Sequence, residues 1–75
     1  MNDHLYRGHT ISLVLSMVGS MWTCQYVIKK DGKEQMDGFP DGETYESREQ
    51  AEAAALAKAK DLIDTAQLSK EPQMG

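Results

Sequence analysis

Residues 10–28 carry no formal charge, although the chain holds twelve acidic and eight basic residues in 75. So long an uncharged run admits few structures. One is a membrane helix, which needs about twenty mostly apolar residues; the other is a set of strands whose apolar side chains share a face. Ser12, Ser16, Ser20, Thr23 and Gln25 recur through the run and Gly19 interrupts it, so a helix would carry too many polar groups into lipid. Strict alternation accounts for the same residues. Ile11, Leu13, Leu15 and Met17 fall on one side of an extended chain, and Trp22, Cys24, Tyr26 and Ile28 repeat the pattern after the glycine. The run follows Arg7, but no small-x-small cleavage site accompanies it and no lipoprotein-type leader precedes Cys24. It therefore reads as neither an export signal nor an anchor.

Gly19-Ser20 joins the two halves as a two-residue connection with glycine first, the pattern of a type II′ hairpin turn. Its register follows. Val18 faces Met21, Met17 faces Trp22, Leu15 faces Cys24, Leu13 faces Tyr26 and Ile11 faces Ile28. Eight apolar side chains then share one face, and a slip of one residue would expose them all. The other face carries Ser12, Val14, Ser16, Val18, Thr23, Gln25, Val27 and Lys29.

Residues 1–5 show no periodicity and are expected to be a loose end, after which Tyr6-Arg7-Gly8-His9 leads into the first strand. His4 and His9 have no cysteine or carboxylate at ligand-like spacing, so no metal site is expected there. Asp31-Gly32 marks a second turn. A three-residue loop with Gly32 left-handed would point Met36 inward beside Tyr26, and is preferred to a two-residue turn that would point Gln35 inward. The third strand, about residues 34–38, is short and charged, as edge strands tend to be. Phe39-Pro40-Asp41-Gly42 is a further turn. An EF-hand loop started at Asp37 puts Phe39 and Arg48 where calcium ligands belong, so that motif fails.

Ser47-Arg48-Glu49-Gln50 fits a capping box and opens a helix over residues 48 to about 66. Ala51, Ala55, Leu56, Ala59, Leu62, Ile63 and Ala66 gather on one side of it. Small residues there let the helix lie close to a sheet face made bulky by Trp22, Tyr26 and Leu13. Residues 67–75 are polar and read as a frayed tail. The expected fold is α+β: a three-stranded antiparallel sheet in β-β-β-α order, with one C-terminal amphipathic helix on one face, in a single domain over residues 6–66.

A lone cysteine and no export signal point to the cytoplasm. Catalysis finds no support: there is no Gly-x-Ser-x-Gly, phosphate loop or His-Glu-x-x-His, and the register buries Cys24, which raises a thiol's pKa. No cofactor is expected. Lys29, Lys30 and Lys33 are a thin basic footprint beside the six acidic residues from Asp37 to Glu52 and a net charge of −4, so nucleic-acid binding is disfavoured. The open sheet face is the expected site for a protein partner or a second copy.

Tyr6-Arg7-Gly8-His9, Trp22-Thr23-Cys24, the Asp31-Gly32 turn and the helix over residues 47–64 together resemble a group of small uncharacterised proteobacterial β-β-β-α domains, which implies a fold but no activity. Phe39-Pro40-Asp41 followed by Glu49-Gln50-Ala51 is similar, more weakly, to HicB-type antitoxins. That resemblance implies an acidic partner for a small basic protein.

Overall fold

The computed structural model describes residues 3–42 and 44–65. It has four strands and one helix in the order β1 (Asp3–Tyr6), β2 (His9–Val18), β3 (Met21–Lys30), β4 (Lys33–Gly38) and α1 (Arg48–Asp64). The strands form one antiparallel sheet in sequence order. Every neighbour is thus reached by a tight turn, and the helix covers a single face.

The central hairpin has the register that alternation predicts, from Val18↔Met21 through Leu15↔Cys24 to Ile11↔Ile28. Gly19 takes a positive φ of 63° and Ser20 does not, as a type II′ turn requires. Ile11, Leu13, Cys24, Tyr26 and Ile28 are buried against Ala51, Ala55, Ala59, Leu62 and Ile63 of α1. The three alanines have no exposed surface; without γ-carbons, they bring the helix backbone down onto the sheet. Ser47 caps the helix, its hydroxyl accepting from the Gln50 N–H at 3.1 Å. Ala66, expected on the inner face, and the tail over residues 67–75 lie outside the described residues.

Three features differ from the sequence expectation. The sheet has four strands rather than three, because residues 3–5, expected to be loose, belong to β1. This strand pairs with β2 through Asp3↔Ser12 to Tyr6↔His9. Its turn, Arg7-Gly8, has positive φ at both residues (50° and 79°), a type I′ geometry usually signalled by Asn or Asp. Arg7 is held there by its Nε, 3.0 Å from Asp64 Oδ1. The Tyr6 hydroxyl donates to the same carboxylate at 2.9 Å, tying β1 to the last turn of α1. Those contacts offset the cost of an acidic residue at the negative end of a helix.

The second difference is at Asp31-Gly32, a two-residue turn with both φ positive that closes Lys30↔Lys33. Met36 still turns inward, onto the core. A bulge opposite Ile28 and Lys29 restores the parity, so Met36 faces Ile28 rather than Tyr26.

Third, Met17 is more than half exposed although it stands on the core side. The helix crosses the sheet diagonally. Arg48 at its start lies over the Trp22 ring of β3, whereas Asp64 at its end meets Tyr6 of β1, so the β2 side of the hairpin tip is left without cover. Beyond β4 the chain returns to the edge of β3, where Trp22 and Tyr45 exchange backbone hydrogen bonds of 2.7 Å in both directions.

Gly38 lies under the Tyr26 phenol; a Cβ there would sit 2.8 Å from the hydroxyl oxygen and 3.2 Å from Cζ. Gly38→Ala is therefore expected to cost about 1–3 kcal/mol in urea denaturation, in the range for overpacking. In a Tyr26→Phe background the loss should shrink. Equal losses in both backgrounds would contradict the contact.

Candidate interaction surface

Alternation turns one set of side chains away from α1. Ser12↔Val27, Val14↔Gln25, Ser16↔Thr23 and Thr10↔Lys29 are cross-strand pairs, with Val18 opposite Met21. All eight residues anticipated for the open face therefore share it. Val14 and Val18 are 48% and 55% exposed.

The flanking strands add residues that the central hairpin alone did not reveal. Asp3 and Leu5 of β1 face Ser12 and Thr10, and Asp37 and Glu34 of β4 face Val27 and Lys29. Leu5 is 84% exposed. The face thus has two halves. Towards the Asp31-Gly32 turn, Asp3, Glu34 and Asp37 outnumber Lys29; towards the hairpin tip, Val14, Gln25, Ser16, Thr23, Val18 and Met21 are all uncharged. Beside this neutral half is an open recess of about 610 Å³, lined by Val18, Thr23, Phe39, Pro40, Asp41 and Thr44. Its one ionisable group, Asp41, lies 3.5 Å from Lys58 Nζ.

Lys29, Lys30 and Lys33 are exposed around the second turn, where Glu34 stands opposite Lys29. His9 Nδ1 is 2.9 Å from the Arg7 carbonyl oxygen. His4 lines a groove on the helix side with Leu13, Glu49 and Glu52. No helix among the described residues is long and apolar enough to cross a membrane.

Cys24 is fully buried. Burial, and then the nearby charge of Glu52, raise its thiol above the ordinary value of 9.0. Tyr26 is raised above 10.0, chiefly by burial and further by Asp37 and Asp41, with Lys58 opposing. Both groups hold their proton more tightly folded than unfolded, so their contribution to stability is complete below the unfolded values and is lost as pH rises through the folded ones.

No protein-family model, curated protein or solved structure matches the chain.

Thermal melting followed as pH is raised should show a falling midpoint above 9.0, steepening beyond 10.0, and the fall should be shallower in Tyr26→Phe. An identical alkaline profile for wild type and Tyr26→Phe would contradict the role given to the buried phenol.

Proposed function

We propose that this domain is a non-enzymatic interaction module that docks a basic protein partner on its open sheet face. The observation that carries the reading is a face left clear by the helix. It combines an apolar floor of Val14, Val18 and the half-buried Val27 with an acidic end formed by Asp3, Glu34 and Asp37. A contact of this kind takes affinity from the apolar centre, and orientation and on-rate from the charged end.

The chain's net charge of −4 supports the same sign of partner. The weaker likeness to HicB-type antitoxins gives that partner a concrete form, a small basic protein. A single unpaired, buried thiol fits a reducing compartment, and we place the domain in the cytoplasm. Nucleic acid is the competing ligand, through Lys29, Lys30 and Lys33, and the same experiment addresses it.

The test is affinity capture from lysate with and without nuclease, using wild type, Asp3→Lys/Asp37→Lys and Val27→Lys. The expected result is a basic protein retained after nuclease treatment, released by rising salt and captured at least about tenfold less by either variant, a loss of ~1.4 kcal/mol or more. Capture unchanged by both variants would overturn the open-face reading. Recovery of nucleic acid alone, abolished by Lys29→Glu/Lys30→Glu, would replace it.

A further inference from the structure

The two edges of the sheet are built differently. β4 carries Lys33, Glu34 and Asp37 and a bulge, features that blunt pairing with another strand. On the other side, β1 covers β2 only as far as Ser12. Among the described residues no strand pairs with the outer side of β2 over residues 13–18, so β2 itself is the edge there.

The direction of its free hydrogen-bonding groups follows from the hairpin. Val18 and Met21 flank the two-residue turn and form a hydrogen-bonded pair. Alternation then points the N–H and C=O of Val14, Ser16 and Val18 into β3, and those of Leu15 and Met17 outward. The reciprocal Trp22 and Tyr45 bonds on the far side of β3 require the same phase. This segment has no charge, proline or bulge. It carries three of the five exposed large hydrophobic side chains among the described residues: Val14, Met17 and Val18, at 48%, 56% and 55%.

We propose that this edge pairs with the same segment of a second copy, antiparallel about a two-fold axis at Ser16. A continuous sheet requires residues on the same face to stand opposite one another, which limits the registers to alternate ones. With Ser16 opposite Ser16, Val14 meets Val18 of the second copy on the open face and Leu15 meets Met17 on the helix side. Leu15 and Met17 are the residues whose N–H and C=O point outward. Leu13 then faces Gly19 of the second copy, so that copy's turn stops where β1 ends. A shift that centres the axis on Leu15 would instead place Val18 opposite Ser12, a position Asp3 already fills.

The uncharged run of residues 10–28 meets its own uncharged equivalent, so the paired strands bring no charge of their own into the contact. The two-fold axis is perpendicular to the sheet and keeps both helices on one side. Both open faces therefore remain free on the other, and the dimer presents two docking surfaces in parallel. Val14, Ser16 and Val18 belong to both surfaces, but the edge pairs through the outward backbone groups of Leu15 and Met17, so this inference does not depend on the partner proposed above.

The test is sedimentation equilibrium over a wide concentration range, with circular dichroism as the folding control. Wild type should move from 8.4 kDa towards twice that mass. Ser16→Lys and Ser16→Glu should each remain monomeric through self-repulsion, weakening association at least about tenfold, and an equimolar mixture of the two should dimerise again. Met17→Pro removes an outward N–H that β3 does not use, so it should abolish the dimer while leaving the fold intact. If that variant fails to fold, the Ser16 pair still decides. A wild type that stays monomeric throughout would overturn the proposal, as would a dimer that survives both Ser16 variants or fails to return in their mixture. A dimer lost on Val27→Lys but kept in Met17→Pro would identify face-to-face stacking and overturn it equally.

Discussion

The register between β2 and β3 is the constraint on which this domain depends. Side chains in a strand have a period of two, so the pairing that sets Val18 against Met21 also decides, seven residues away on each strand, that Ile11 and Ile28 are buried. Gly19 fixes that pairing by taking a backbone angle that few other residues adopt without strain. The same alternation assigns backbone groups as well as side chains. It determines which residues make the core, which make the open face and which amides of β2 point away from β3.

A single helix on a four-stranded sheet leaves much uncovered, and the packing decides where. Ala51, Ala55 and Ala59 let α1 approach closely, but the helix runs diagonally from Trp22 to Tyr6. Its cover is therefore complete over the middle of β2 and β3 and absent at the β2 side of the hairpin tip. With ten buried hydrophobic side chains among the described residues, the core is small for one chain. Binding at the open face or along the β2 edge would add to it the apolar surface that the fold leaves in water.

Much of this was legible in the sequence because the signals were local. Alternation around Gly19-Ser20 specified the central hairpin, and the Ser47 capping box with its alanine stripe specified the helix. The eight open-face residues followed from parity alone. β1 was not legible: three of its four side chains are exposed, and its turn begins with arginine, a residue made tenable there by Asp64 on the far side of the chain. Nor was the bulge, since a longer loop would also have turned Met36 inward. The exposure of Met17 and the open edge beside it depend on a helix crossing angle and on where β1 stops, both of which are set by tertiary packing. Asp3, Leu5, Glu34 and Asp37 joined the candidate surface for the same reason: they reach it through neighbouring strands.

Residue-resolved amide hydrogen exchange in dilute protein tests the register and its consequences most directly. Exchange should alternate along β2, with the amides of Val14, Ser16 and Val18 slow and those of Leu15 and Met17 fast. Slow exchange at Leu15 and Met17 with fast exchange at Ser16 would contradict it, because that phase would turn the core face of the hairpin towards solvent.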